Sequence, residues 1–340
     1  MRAFENNIRK VEPYVPGEQP QNKVIKLNTN ENPYPPSPAA ERVLHTFSAA
    51  DFRLYPDPDC TALRDALAAK EGVRRENVFV GNGSDEVLAF AFAALFDPDK
   101  PVCFADVTYS FYPVYCKLFG LPYRTVPLDA RWKLALAGYR DAGGIVIANP
   151  NAPTSVWEDV SCFVGGRTPA IIDEAYIDFA GKPSLAKQAA QSDNAAVVKT
   201  FSKSYALAGA RCGYAVANED IVRALMRVKD SFNSYTVNAC TQAVALAALT
   251  DVAYFTDRVA AVVKTRDAFR KKLLAKGYDC PVSSANFLFA AVPDGNGERT
   301  YREWKEKGVL VRHWNAPRLQ DRVRITVGTD EQMQILESLL

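Results

Sequence analysis

Residues 197–211 read VVKTFSKSYALAGAR. Val197 to Lys199 closes a short, mostly apolar run of strand length, and Lys203 follows within four residues. That is where an α/β sheet presents its ligands, outside the carboxyl ends of its strands. A lysine desolvated among serines and a glycine can lose its proton, and a neutral amine is the nucleophile a Schiff base needs. Taken alone, the segment fits an exposed loop lysine equally well.

Upstream the same pattern recurs. Short apolar runs at Val102–Ala105, Ile145–Ala148 and Ala170–Ile172 each lead into polar or glycine-bearing residues, and NVFV (77–80) leads through GNGSDE (81–86) into a helix-like apolar stretch. Continuous apolar strands alternating with helices indicate a mainly parallel sheet covered on both faces, so the fold class is α/β. TALRDALAAKEG (61–72) has helical spacing, with Gly72 placed to end the helix. Residues 1–40 are rich in Pro, Asn and Gly and predict an extended arm with one possible strand at Val24–Leu27. From about Ala245 a long amphipathic helix, including 257–277, precedes the short alternating stretches NFLFAAV, VLVRHW and RVRITVG. The predicted organisation is an arm (1–40), a large domain (41–245) and a smaller α+β domain (246–340) that shares its core with the arm.

A chain of 340 residues exceeds what one core comfortably holds. Its 48% hydrophobic and 24% charged residues are ordinary for a globular protein. With 41 basic and 39 acidic residues the net charge is +2, which gives no electrostatic footprint for nucleic acid or an anionic membrane. Seven scattered cysteines without a CxxC pair suggest reduced thiols, hence the cytoplasm. The start lacks a signal-peptide core, and no apolar run reaches the ~18 residues of a membrane span.

Two further segments invite chemistry. Asp173 ends the apolar run of AIIDEAYIDF (170–179), where a carboxylate is costly to bury without a cationic partner. A protonated pyridine nitrogen is one such partner, and a helix cap is the alternative. A metal is disfavoured, since His45 and His313 are the only histidines and neither adjoins a carboxylate cluster. In NVFVGNGSDEVL, Gly81 and Gly83 make a turn into a helix near Ser84 and Asp85, either an anion site on free N–H groups or a plain capped start.

Eight segments in order, LNTNENPYPP, YPDP, GNGSDE, TYSFY, NPNAPT, DEAYIDF, TFSKSYALAGARCGY and VRITVGT, make the chain resemble the fold-type I pyridoxal-phosphate (PLP) aminotransferases, and within them the histidinol-phosphate aminotransferases. The resemblance implies a seven-stranded, mainly parallel sheet in the large domain and a homodimer. It implies a ping-pong exchange between an amino donor and a 2-oxoacid, L-histidinol phosphate and 2-oxoglutarate. Lys203 would be the Schiff-base lysine and proton shuttle, Asp173 the partner of the ring nitrogen, and Tyr176 a donor to the ring 3-hydroxyl oxygen. Ser202, Arg211 and the backbone at Gly83, Ser84 and Asp85 would hold the cofactor phosphate, with Tyr109 stacked on the ring. Tyr55 would reach the phosphate of the partner subunit's site. Arg324 would bind the substrate's anionic group, with Arg312, Tyr14 and Asn30 lining the same pocket. Departing from the family's usual NPNNPTG, the chain reads NPNAPTS, with Ala152 where an asparagine contacts the 3-hydroxyl. Asn151 or Tyr176 is expected to take over that contact. The same fold also serves threonine-phosphate decarboxylases, aromatic or broad-range aminotransferases and ligand-sensing modules.

Overall fold

The computed structural model describes residues 11–22 and 24–340. Strand β1 (Ile25–Lys26) is followed by α1 (Pro38–Leu44), whose N-terminus Ser37 caps by accepting from the Ala40 N–H, and by α2 (Thr61–Glu71). Helix α2 ends at Gly72, which takes φ 68°, a left-handed conformation that glycine adopts without a Cβ penalty.

Next come β2 (Val78–Gly81), α3 (Gly83–Leu95), β3 (Val102–Ala105), α4 (Tyr112–Phe119), β4 (Tyr123–Val126) and β5 (Gly144–Ala148). They are followed by β6 (Ala170–Asp173), α5 (Ala186–Ala189), β7 (Ala195–Thr200) and β8 (Gly213–Val216). Together the strands form one seven-stranded sheet in the order β2-β8-β7-β6-β5-β3-β4. All its pairings are parallel except those of β8, which runs antiparallel to both neighbours.

Alternation along the strands separates two cores. Ile145, Ile147, Ile172 and Val197 pack on one face with α2, while Val146, Ile171, Ala196 and Val198 pack on the other with α3 and α4. With both faces covered, the strands must be apolar throughout, which is why they stand out as continuous runs in the sequence.

Beyond β8 lie α6 (Glu219–Phe232), α7 (Ala239–Thr250) and α8 (Val252–Ala275); the helical stretch expected from Ala245 is thus two helices that meet at Asp251. The chain continues through β9 (Phe287–Ala291), α9 (Gly297–Glu306), β10 (Val309–Leu310), β11 (Arg312–His313), β12 (Arg322–Thr326) and α10 (Asp330–Glu337). Strands β11, β12 and β9 form an antiparallel sheet. The arm enters this region as β1 pairs in parallel with β10, and Leu27 joins a core with Phe269, Leu288, Val311 and Ile325. Among the described residues no helix is long and apolar enough to cross a membrane.

Candidate active site

A cavity of about 630 Å³ opens where the strand order of the large sheet places its carboxyl ends. Ala105 and Ala148, the last residues of β3 and β5, line it with Asp173, the last residue of β6, and with Ser202 and Lys203 just beyond β7.

Lys203 is half-buried, and its Nζ donates to the Thr29 carbonyl at 3.2 Å. Burial, reinforced by the positive charge of Arg324, pulls its pKa down to about 8, against the pull of Asp85 and Glu31. The backbone around it is held by Asn32, whose Nδ2 donates to the carbonyls of Lys203 (3.0 Å) and Ser204 (3.2 Å).

Asp173 is 6% exposed and has no ion-pair partner among the described residues. Its Oδ2 accepts from the Tyr112 hydroxyl at 2.8 Å and its Oδ1 from the Ala175 N–H at 3.1 Å. Burial outweighs these two bonds and pushes the carboxyl up to about 6. Nearby, the Tyr176 hydroxyl accepts from Asn30 Nδ2 at 2.9 Å. Asn30 itself is buried at φ 58°, its N–H bonded to Thr326 Oγ1 (2.9 Å).

At the N-terminus of α3 the Asn82 side chain makes no cap, the Asn82 N–H donates to Glu86 Oε2 at 2.7 Å, and among the described residues no side chain bonds the N–H groups of Gly83, Ser84 or Asp85, which leaves them available to an anion. Gly83 has φ 83°, and a Cβ there would lie 2.5 Å from Arg211 Nη2. The guanidinium of Arg211 therefore sits directly over this helix start, bonded at 3.0 Å to Asp85 Oδ2. Asp85 Oδ1 accepts from the Tyr109 hydroxyl at 2.8 Å, and Tyr109 packs edge-on against Tyr112 with centroids 5.7 Å apart.

The C-terminal sheet supplies the opposite wall. Arg312 and Arg324 are register partners across β11 and β12, and both line the cavity. Arg324 Nη2 donates to the Asn28 carbonyl at 2.8 Å, while its Nε is buried without a partner. Its guanidinium lies 5.3 Å from the Phe287 ring and 5.2 Å from that of Trp314. Tyr14, stacked on Phe111 at 4.7 Å, covers the cavity from the arm side.

Asn151 is elsewhere than expected, and Tyr55, expected in a second copy's site, lies outside the cavity of its own chain. The Asn151 side chain is fully engaged in its own loop, donating to the Val107 carbonyl (2.9 Å) and Thr154 Oγ1 (3.0 Å) and accepting from Thr108 Oγ1 (2.8 Å), and it does not line the cavity. Ala152 is the residue that faces it, packed with Tyr176 and Phe287. Tyr55 is 81% exposed, stacks on Tyr235 at 4.4 Å and does not line the cavity of its own chain. Conversely, Tyr112, Asn32 and Trp314 hold site groups although sequence reading assigned them nothing. They lay inside the quoted segments TYSFY, LNTNENPYPP and VLVRHW, but a tyrosine or asparagine there reads equally well as core or turn.

These residues fit pyridoxal phosphate. A buried carboxylate without a cationic partner faces the cavity, an uncapped helix start lies under an arginine at one end, and an amine that is neutral just above pH 8 stands between them. The fold and the site are those of a PLP-dependent transferase. The chain belongs to the class I and II aminotransferases, whose family model matches residues 22–338. It is 46% identical to the histidinol-phosphate aminotransferase of Chromohalobacter salexigens over 97% of this chain and 95% of that protein. It is also 47% identical to histidinol-phosphate aminotransferase 1 of Bradyrhizobium diazoefficiens over 100% of this chain and 99% of that one. Among solved structures, the Sinorhizobium meliloti histidinol-phosphate aminotransferase in complex with pyridoxal-5'-phosphate superimposes with a TM-score of 0.81 at 24% identity, covering 93% of this chain and 90% of that one.

Proposed function

We propose that the protein is a cytoplasmic, homodimeric histidinol-phosphate aminotransferase that moves the amino group of L-histidinol phosphate to 2-oxoglutarate. The observation that carries this is the convergence, in one cavity, of Lys203 and Asp173 from the large sheet with two cavity-lining arginines from the C-terminal sheet. The names of the similar proteins support the choice of substrate. In this reading residues 1–40 are an arm, 41–245 the cofactor domain and 246–340 the smaller domain.

When bound, PLP supplies an electrophilic carbon for the amine and a ring that accepts electrons. The residues that would hold it are Asp173 at the ring nitrogen, Tyr176 at the ring hydroxyl, Tyr109 on the ring face, and Ser202, Arg211 and the Gly83–Asp85 backbone at the phosphate. With Asn151 turned into its loop, Tyr176 carries the hydroxyl contact, its own oxygen oriented by Asn30. Lys203 Nζ, neutral above about pH 8, takes the proton from the substrate Cα. The Arg324 fork, with an Nε still unbonded, takes the phosphate of one substrate and a carboxylate of the other. Arg312 lines the same anion pocket, and Tyr14 and Asn30 close it from the arm. Tyr55, exposed like its chain neighbours Phe52 and Leu54 and stacked on Tyr235, contributes to the partner subunit's site.

An absorbance spectrum of the PLP-loaded protein tests this. The cofactor band should fall when L-histidinol phosphate is added and return with 2-oxoglutarate, with glutamate released. A band that ignores L-histidinol phosphate but responds to threonine phosphate or an aromatic amino acid would replace the substrate; absence of any cofactor band would overturn the whole reading.

A further inference from the structure

Arg312 and Arg324 stand directly opposite each other on β11 and β12. Like charges in that position repel, and neither arginine has an ion-pair partner among the described residues. Among the described residues the hydrogen bond that tethers Arg312 is a long one, from its Nη2 to the Val15 carbonyl at 3.5 Å, which leaves the side chain room to swing away from Arg324. Trp314, one residue beyond β11, lies within reach of both. Its indole is 5.5 Å from the Arg312 guanidinium and 5.2 Å from that of Arg324, within the range at which a ring face attracts a cation. Phe287 lies 5.3 Å from Arg324, so among the described residues Arg324 has two ring contacts and Arg312 has that of Trp314.

We infer that Trp314 is a positioning residue that keeps Arg312 and Arg324 together as one clamp for a dianionic phosphate monoester. The inference rests on the amino-transfer reading above and adds what selects the phosphorylated substrate. A single guanidinium suffices for a monoanion. A phosphate dianion has charge and oxygens for two forks, and it gains the second only while Arg312 is kept beside Arg324. An aliphatic residue at 314 removes both ring contacts and frees Arg312 to move toward solvent, whereas phenylalanine keeps a ring there.

The test compares wild type, Trp314→Leu and Trp314→Phe as PLP-loaded enzymes, with L-histidinol phosphate and with L-histidinol, which lacks the phosphate. Loss of the two ring contacts should raise the KM for L-histidinol phosphate about tenfold in Trp314→Leu. The KM for L-histidinol should change by less than about threefold, so that the ratio of the two KM values shifts, and Trp314→Phe should recover most of the loss. Calorimetric titration of the loaded enzymes with inorganic phosphate supplies a readout independent of turnover. Its Kd should rise about tenfold in Trp314→Leu and little in Trp314→Phe. Equal KM changes for both amines, an unchanged phosphate Kd, or no phosphate binding by wild type would each overturn the inference. Failure of wild type to use L-histidinol phosphate while the phosphate titration behaves as stated would instead refute the substrate assignment and leave the clamp standing.

Discussion

Asp173→Asn should make the cofactor-free protein more stable at neutral pH while impairing the enzyme. The carboxyl is 6% exposed, and burial raises it from an ordinary 3.8 to about 6. A raised carboxyl pKa means that the folded state holds its proton more tightly than the unfolded chain, so stability is lost as pH rises between the two values. Above both values the penalty is about 3 kcal/mol, at about 1.4 kcal/mol per pH unit, and by pH 5 it is about half that. Asparagine carries no charge and keeps an oxygen for the Tyr112 hydroxyl, so it removes most of this penalty. With an unfolding entropy of about 2.1 cal/mol/K per residue, 3 kcal/mol is a rise in Tm of about 4 °C for a chain this long. Glu174, pushed up to about 7 by burial, titrates in both proteins and cancels in the difference. Thermal melts of cofactor-free wild type and variant at pH 7.5, 6 and 5 give that difference directly. It should shrink steadily as pH falls, while the variant's transamination drops by orders of magnitude for want of an anion at the ring nitrogen. A variant less stable than wild type at pH 7.5, or a gain independent of pH, would refute the claim that this carboxylate is buried unpaired.

The rate at which PLP adds to the cofactor-free protein should rise with pH around a midpoint near 8 rather than near the ordinary lysine value of 10.5, and Arg324→Met should move that midpoint upward; a wild-type midpoint near 10.5 would mean Lys203 is not desolvated. Glu71→Gln breaks a buried pair, Lys199 Nζ to Glu71 Oε1 at 3.0 Å with both side chains under 10% exposed, and should cost about 3 to 5 kcal/mol in urea unfolding at pH 7. Because Lys199 and Lys70 hold Glu71 down at about 2, its contribution should be complete above its unfolded pKa and vanish as pH falls toward 2. If two copies pair as proposed, Tyr55→Asp should yield a monomer in light scattering and abolish transamination; an active monomer would refute the proposed contribution of Tyr55 to a second copy's site.

How far the chain could be read on its own follows from what each signal reports. The apolar runs at 102–105, 145–148, 170–172 and 197–199 are β3, β5, β6 and β7 because strands buried on both faces must be apolar at every position, a purely local signature. Gly72 ended α2 as expected, since that left-handed φ is a local demand on one residue. Tyr123–Val126 was missed as β4: it is an edge strand, largely accessible, with no continuous apolar run to give it away. The reversed insertion of β8 between β2 and β7 was equally invisible, because strand order is a matter of long-range pairing and leaves no trace in composition.

The site divides along the same line. Lys203, Asp173 and the glycine turn at 81–83 could be singled out as candidates from the residues themselves, since an amine or a carboxylate at a strand end is costly unless something employs it, whereas the arginines entered only through the resemblance. What they touch could not. The Tyr112 hydroxyl meets Asp173 across 61 residues of sequence, and Asn30 meets Tyr176 across 146. Asn151 stood beside the expected position in sequence, yet its amide is consumed by Val107, Thr154 and Thr108. Trp314 meets both arginines because the β11 and β12 register sets Arg312 against Arg324. The sequence by itself determined which groups carry charge and which segments must be buried; tertiary structure alone decided which donor faces which acceptor, because hydrogen bonds and ion pairs act over a few ångströms and chain separation does not measure that distance.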